Sequence, residues 1–207
     1  MPLPPLNAKH AIELASEYYG LIAEAKPLPG DIDRNFLLST QSDKLTLKIH
    51  ELETQREEIE FQHAALQHLS GFGGVPHIIP NKDGEMIFRI SHDGDNYLVR
   101  MVSYLEGNLL ENIIPKPSNL LHGLGSFIAQ LDLALVDFTH SAMQREEPLW
   151  DLSLAHLVIE PRLGIIATSE RQDLASQVVE RFKRRVLPVL PDLYQQVIHC
   201  DANTQNL

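Results

Sequence analysis

The sequence predicts an α+β fold, with a small antiparallel sheet and its helices followed by a mainly helical region. In the first half, short strand-like runs such as residues 44–50 and 96–104 are separated by turn residues, and the run 44–50 alternates apolar and polar side chains. In the second half, apolar residues recur at helical spacing over 118–140 and 172–185. Strand character ends near Glu106, so we expect a boundary between residues 1–106 and 107–207.

The first region reads as a helix followed by about five strands. Helical spacing predicts an amphipathic helix over residues 8–25, and Pro27 then stops it. The later elements are a turn rich in Gly, Asp and Asn at 28–35 that enters a strand, a second strand at 44–50, a charged helix at 51–68, and a hairpin of strands 85–90 and 96–104.

The second region reads as helices joined by loops. The helix at 118–140 is so apolar that we expect it to be buried on more than one side, with Ser118 as its N-cap. Trp150 falls in a loop, where we expect it to anchor packing. Further helices are predicted over 172–185 and 188–196.

Composition restricts the possible partners and location of the protein. The chain of 207 residues is 43% hydrophobic and carries a net charge of -11, which disfavours nucleic acid and suits a cationic small molecule. The single cysteine, Cys200, cannot form an internal disulfide. The N-terminus lacks signal-peptide features, and no apolar run reaches membrane-spanning length. We therefore expect a cytoplasmic protein without a membrane partner.

The C-terminal stretch carries the most specific motif, His199-x-Asp201 followed by Asn206 at a spacing of five residues. Phosphoryl-transfer enzymes use this spacing to place a base and a metal ligand beside one phosphate. There the aspartate accepts the proton of the attacking hydroxyl, the asparagine amide oxygen binds Mg²⁺, and the histidine packs beneath the loop. The alternative is a polar tail in which Asn and Asp simply favour turns.

Lys48 is the candidate for the other side of such a site. In its strand Leu45, Leu47 and Ile49 alternate with polar residues, so Lys48 faces away from the apolar layer. It is either a solvated lysine or a lysine that bridges nucleotide phosphates. Glu60 or Glu57 of the following helix could pair with it.

Taken together, the turn, the lysine strand, the glutamate helix, the hairpin and the His-x-Asp loop resemble the aminoglycoside phosphotransferase and choline kinase family. The resemblance covers the chain from about Leu28 onward and implies a two-lobed, protein-kinase-like fold. Within that family, Glu60-Phe61-Gln62 and the Asn203 to Asn206 ending are most similar to the hydroxylysine kinase branch.

The resemblance implies ATP or GTP as phosphate donor and Mg²⁺ as metal. Lys48 would bind the α and β phosphates and Glu60 would orient it, with Glu57 as the second choice. The loop from Gly30 to Asn35 would lie over the phosphates, and the backbone from Met101 to Glu106 would contact the purine. The implied site residues are thus Gly30, Asp31, Asn35, Lys48, Glu60, Ser103, Tyr104 and Glu106 for the nucleotide, Asn206 for the metal and Asp201 as the base.

Two departures from the family pattern matter. Cys200 stands where the family usually has glycine, and the family's second metal-binding aspartate, which follows the loop, has no counterpart before Leu207. We therefore expect an incomplete helical lobe, continuous with further C-terminal residues and inactive alone.

The expected function is transfer of the γ phosphate to a hydroxyl of an amine-bearing metabolite such as hydroxylysine, choline, ethanolamine, homoserine or an aminoglycoside. The alternative is a non-catalytic, kinase-like regulatory or interaction module of a larger protein. The missing aspartate favours that module, whereas Lys48, Asp201 and Asn206 together favour the enzyme.

Overall fold

A computed structural model describes residues 3–143 and 151–206, so Trp150 lies outside the described residues. Within those ranges the chain contains a sheet and several helices. The α-helices are α1 (Ala8–Tyr19), α2 (Arg56–His68), α3 (Ser118–Ala134), α4 (Ala155–Ile159) and α5 (Ser169–Arg185), and short 3₁₀ helices cover Leu110–Asn112, Ser141–Met143, Leu152–Leu154, Glu160–Ile165 and Leu190–Asp192. None of these helices is long and apolar enough to cross a bilayer.

The sheet is antiparallel throughout, as the sequence predicts. Its strands are β1 (Glu24–Leu28), β2 (Arg34–Ser39), β3 (Lys44–Ile49), β4 (Ile78–Ile79), β5 (Phe88–His92) and β6 (Asp95–Ser103). The order is β1-β2-β3-β6-β4, and β5 also pairs with β6. The long β6 therefore joins β3 on one edge to β4 and β5 on the other, and it is the central strand of the sheet.

Helix α1 covers one face of the sheet and forms the main core with it. Apolar side chains of alternate strand positions, among them Leu47, Ile49, Val99 and Met101, are fully buried there together with Ala11 of the helix. This burial confirms that Leu45, Leu47 and Ile49 form the apolar side of β3, and that Lys48 faces the other side.

The first helix is shorter than predicted, and the strand that follows it was missed. Asn7 caps α1 by accepting hydrogen bonds from the backbone of Lys9 and His10, and Gly20 ends it with a φ of 66°. Residues 24–28 then pair with β2 as an edge strand. Pro27 fits there because an edge strand leaves one row of backbone groups unpaired.

Helix α2 lies against the opposite face of the sheet. Its Ile59 forms a small buried cluster with Ile87 and with Leu98 of β6. The helix begins at Arg56, later than the predicted residue 51; Glu51 lies before it and donates its backbone N–H to the Asp33 side chain. Polar side chains of β3 and β6 share this face with the helix.

Helix α3 differs from its prediction in its ends and in its burial. Helix α3 starts after Pro117, not with Ser118 as N-cap, and ends at Ala134. It is not buried on more than one side: only Leu131 is fully buried within it, while Leu133 is 70% exposed. The helix buries Leu131, which packs with Leu69 and with Leu135 and Phe138 just beyond its end.

The described chain divides into two compact units. One runs from the N-terminal helix to Ala142 and takes in the C-terminal segment from Val197, and the other spans Met143–Gln196. In the second unit, Lys183 of α5 contacts Glu160 at 2.7 Å. Residues 188–196 form a 3₁₀ turn at Leu190–Asp192, not the predicted helix, since Pro191 removes a backbone donor. The lobe boundary near Glu106 stays a prediction.

Candidate functional site

Three polar residues lie side by side across the centre of the sheet. Strand register places Asn35 of β2 opposite Lys48 of β3, and Lys48 opposite Arg100 of β6. Directly opposed residues on antiparallel strands project to the same face. Lys48 and Arg100 are therefore neighbouring cations on the α2 side of the sheet.

The carboxylate nearest to Lys48 belongs to Asp33, in the loop between β1 and β2. Its Oδ2 lies 3.9 Å from Lys48 Nζ and 3.0 Å from Nδ1 of the buried His50. Asp33 also accepts the backbone N–H of Glu51 at 3.3 Å. Because Lys48, His50 and Glu51 lie in or just after β3, these contacts connect the loop that carries Asp33 to the end of that strand.

The predicted contact between Lys48 and Glu60 is absent from the described structure. Glu60 is exposed and pairs with Arg56 one helical turn away, at 3.5 Å, and Glu57 is exposed as well. The polar α2 side chain that contacts this row is Gln62, which accepts a hydrogen bond from Arg100. Residues two positions apart point to different sides of a helix, so Glu60 cannot face the sheet when Gln62 does.

The Gly30 loop is tightly closed over the end of the sheet. A Cβ atom at Gly30 would lie 2.5 Å from the Asp33 carbonyl oxygen and 2.6 Å from Asn35 Nδ2, so this position requires glycine. Asn35 Nδ2 donates to the Pro29 carbonyl at 3.1 Å, and its Oδ1 is buried without a hydrogen-bond partner. Asp31 is exposed on the same loop.

Electrostatics in this row favour an anion. Burial and the charge of Arg100 lower the pKa of Lys48, and burial lowers the pKa of Arg100 to about 10. Burial would raise the pKa of Asp33, but the hydrogen bond and charge of His50 and the charge of Lys48 lower it overall. Two cations thus face one carboxylate, and the excess positive charge suits a phosphate.

His63 makes the stability of the protein depend on pH. The side chain is 5% exposed, and burial, helped by Arg100, lowers its pKa from 6.5 to about 4. Between these values the unfolded chain binds a proton that the folded chain does not, so stability falls as pH falls. We expect His63 to account for a loss of about 2 kcal/mol in unfolding free energy between pH 7 and pH 5.

Urea unfolding at both pH values tests this expectation. The variant His63→Gln should lose less stability on acidification than the wild type, and the same change at the exposed His122 should not alter the loss. His50, whose pKa burial also lowers, acts in the same direction in every variant. Equal acid losses in wild type and His63→Gln would contradict the assignment.

Sequence reasoning missed Asp33 and Arg100. Arg100 could have been selected from the sequence, because it is the charged residue in the middle of the apolar strand 97–102. Charged residues are rarely buried unless they have a partner. Asp33 carried no comparable signal, because Asp and Asn are common in any turn.

The segment predicted to contact the purine base follows the end of β6. The backbone N–H of Ser103 donates to the His77 carbonyl oxygen at 2.8 Å, and that of Tyr104 donates to the Lys44 carbonyl oxygen at 3.1 Å. Both groups are therefore used within the sheet. Glu106 pairs with Lys44 at 2.9 Å on the surface. A backbone donor for the base would have to come from residues 105–107.

The C-terminal loop gathers its polar side chains around Asp201. Asn203 Nδ2 donates to Asp201 Oδ1 at 2.6 Å, and Asn206 Nδ2 donates to Asp201 Oδ2 at 2.5 Å. Only the amide nitrogen can donate to a carboxylate, so the Asn206 amide oxygen is not used in this contact. His199 is exposed and does not pack beneath the loop; its Nδ1 accepts the Asp201 backbone N–H at 3.3 Å.

Two contacts attach this loop to the unit that contains the sheet. The backbone N–H of Glu111 donates to the Thr204 carbonyl at 3.0 Å, five residues beyond the predicted hinge residue Glu106. Val197 packs against the cluster of Leu69, Leu131 and Phe138. Asp201 and Lys48 therefore belong to the same compact unit.

Cys200 adopts a backbone conformation that favours glycine, with a φ of 64°. A left-handed conformation costs an L-residue about 1–2 kcal/mol, more for a β-branched side chain. We expect Cys200→Gly to leave the unfolding free energy unchanged or raise it by up to about 1 kcal/mol, and Cys200→Val to lower it by about 1 kcal/mol. Chemical denaturation checks both, and equal stabilities of the Gly and Val variants would contradict the assigned conformation.

Comparison with known proteins identifies the family of the chain. The profile of the Phosphotransferase enzyme family (APH) matches residues 24–207. Hydroxylysine kinase of Danio rerio is 25% identical over 224 residues, covering 99% of this chain and 60% of that protein. Homoserine kinase of Brucella anthropi is 30% identical over 182 residues, covering 84% and 50%. The chain thus spans about half to three fifths of these relatives.

Solved structures confirm the predicted kinase-like α+β fold. A microcompartment-associated aminopropanol kinase superposes with a TM-score of 0.73 at 20% identity, covering 97% of this chain and 64% of that one. The amicoumacin kinase hAmiN, solved with AMP-PNP, Ca²⁺ and Ami, superposes with a TM-score of 0.64 at 15% identity, covering 92% and 55%. With the family profile matching all but its first 23 residues, this chain belongs to the aminoglycoside phosphotransferase family of phosphotransferase enzymes.

Proposed function

We propose that the protein is a small-molecule kinase that transfers the γ phosphate of ATP or GTP to a hydroxyl group of an amine-bearing metabolite. The observation that carries the proposal is the row of Asn35, Lys48 and Arg100 beneath a glycine loop, with an excess of positive charge. In the aminoglycoside phosphotransferase family, a nucleotide phosphate is the anion that such a site would bind.

In this proposal the Lys48 ammonium binds the α and β phosphates, and Asp33 holds the ammonium in place from the loop side. Gly30 lets the loop close onto Asp33 and Asn35, where a Cβ would collide with the Asp33 carbonyl oxygen and Asn35 Nδ2, and the closed loop would lie over the phosphates. Asp31 lies on that loop, and Asn35 of β2 lies beside it and donates to the Pro29 carbonyl. Residues 103–106 lie along the base, with Ser103, Tyr104 and Glu106 shaping the segment through their own contacts.

Asp201 is the proposed base that receives the proton of the acceptor hydroxyl. Its exposed carboxylate is held by Asn203 and Asn206, which orients it without neutralising it. Such positioning, together with charge stabilisation, supplies most of the catalysis in phosphoryl transfer. His199 supports the loop backbone through Asp201.

Asn206 fits a role as a Mg²⁺ ligand, because its amide oxygen is left over by the contact with Asp201. Across residues 3–143 and 151–206, no three acidic, His or Cys side chains lie close enough to bind a metal by themselves. Phosphate oxygens would therefore complete the coordination, and bound Mg²⁺ would neutralise charge on the transferred group.

The acceptor class rests on the relatives and on charge. Hydroxylysine, homoserine and aminopropanol, which name the relatives' activities, each carry an amine and a hydroxyl. A chain with a net charge of -11 suits a cationic acceptor, and its single cysteine suits the reducing cytoplasm. Choline, ethanolamine and an aminoglycoside belong to the same acceptor class.

The test is nucleotide consumption by the full-length gene product, with ATP and GTP in turn and with or without Mg²⁺. Hydroxy amino acids, amino alcohols and one aminoglycoside serve as acceptors. The proposal predicts Mg²⁺-dependent ADP or GDP release that requires one of these acceptors. Nucleotide binding without turnover on any acceptor would instead favour a non-catalytic, kinase-like module, and absence of both would contradict a nucleotide site altogether.

A further inference from the structure

Arg100 is a buried cation of the positively charged row, but the proposed function assigns it no contact with nucleotide or acceptor. The residue lies in the centre of β6 and is only 4% exposed. Its Nε and Nη1 atoms are buried without a hydrogen-bond partner. Removing a guanidinium from water is costly unless other groups replace the lost hydration. The contacts that Arg100 makes should therefore indicate its role in the site.

Those contacts point in two directions. Nη2 donates to the side-chain oxygen of Gln62, on the α2 face that packs against the sheet. On the other side, strand register sets Arg100 directly against Lys48, and the two charges repel each other. Arg100 thus contacts helix α2 through Gln62 and is the cross-strand neighbour of Lys48, the lysine proposed to bind phosphate.

We infer that Arg100 is a positioning residue that links helix α2 to Lys48, so that the position of the helix determines where the lysine ammonium lies. Gln62 fixes the guanidinium at the helix side, and repulsion from the guanidinium directs the ammonium toward Asp33, 3.9 Å away on the glycine loop. This inference rests on the proposed role of Lys48 in binding phosphate.

The geometry assigns the link to Gln62 and not to a glutamate of the same helix. Glu60 and Glu57 are exposed, and Glu60 pairs within its own helix. A neutral amide on α2 leaves the guanidinium charge available to act on Lys48, whereas a carboxylate would largely cancel it. Lys48 is then held by repulsion from one side and attraction from Asp33 on the other.

The test compares Gln62→Leu with Gln67→Leu, the same change five residues further along the same helix. Gln67 contacts Met86 and lies outside the row. Two properties are measured: the affinity for AMP-PNP by calorimetry, and the pH midpoint of Lys48 acetylation by mass spectrometry without nucleotide. Gln62→Leu should weaken AMP-PNP binding about tenfold and raise the midpoint, and Gln67→Leu should change neither.

A double-mutant cycle with Arg100→Leu completes the test. Arg100→Leu should raise the Lys48 midpoint further, since it removes the neighbouring charge, and Gln62→Leu should then have no added effect. Gln62→Glu should retain the hydrogen bond but raise the Lys48 midpoint, because a carboxylate cancels part of the guanidinium charge. Equal results for Gln62→Leu and Gln67→Leu, or additive effects of the Gln62 and Arg100 changes, would overturn the link.

Failure of the link can be told apart from failure of the proposed function. If the wild-type protein does not bind AMP-PNP, the proposed phosphate site is wrong, while the acetylation midpoint still reports on Arg100 and Lys48. If it binds and Gln62→Leu shifts neither property, only the link is wrong.

Discussion

Replacing Asp201 with alanine in the full-length gene product should lower the rate of phosphate transfer by about 10²–10⁴-fold, the usual contribution of a general base. AMP-PNP affinity should change little, because the proposed phosphate contacts come from Lys48 and the glycine loop. Asp201→Asn should lose activity similarly, since an amide of the same size cannot accept the proton. Steady-state rates and calorimetry on each variant measure the two effects separately.

The control is Asp173→Ala, at an exposed position of α5 in the other compact unit. Its rate should equal that of the wild type. Unchanged turnover in Asp201→Ala would reject Asp201 as the base, and an equal loss of nucleotide binding and turnover would instead assign it to the nucleotide site.

Replacing Lys48 with methionine should weaken AMP-PNP binding by about 10–100-fold. A hydrogen bond to a charged group contributes about 1.5–3 kcal/mol, and methionine retains most of the apolar stem of the side chain without the charge. The pair with Asp33 is lost as well, so the variant should also be less stable. Calorimetry gives the affinity and urea unfolding gives the stability, which separates loss of binding from loss of fold.

Lys26→Met is the matched control, because Lys26 is an exposed lysine of β1 in the same sheet. It should bind AMP-PNP as the wild type does. A folded Lys48→Met protein with wild-type affinity would show that Lys48 is a structural partner of Asp33 and not a phosphate ligand.

Local patterns predicted much of the sheet. Alternation in β3 gave the facing of Lys48, and the hairpin between β5 and β6 follows from Asp93-Gly94, where both residues have positive φ. Edge strand β1 was missed because its residues 24–28 do not alternate clearly and include Pro27. It exists only because β2 offers it a partner, which is a tertiary effect.

Some residues of the candidate site could likewise be predicted from the sequence, and others depend on tertiary structure. Lys48, Asp201 and Asn206 could be selected from the sequence, because strand alternation and motif spacing are local properties. The acidic partner of Lys48 could not be predicted from the sequence. Which carboxylate reaches the lysine depends on how the Gly30 loop closes and on how α2 is rotated about its axis. The same rotation brings Gln62, and not Glu60, to Arg100.

The most direct measurement is a crystal structure of the full-length gene product with AMP-PNP and Mg²⁺. We expect phosphate oxygens within about 3 Å of Lys48 Nζ, Mg²⁺ in contact with the Asn206 amide oxygen, and Asp201 facing the γ phosphate. Phosphates bound away from Lys48, or Asp201 on a surface that does not face them, would contradict this expectation.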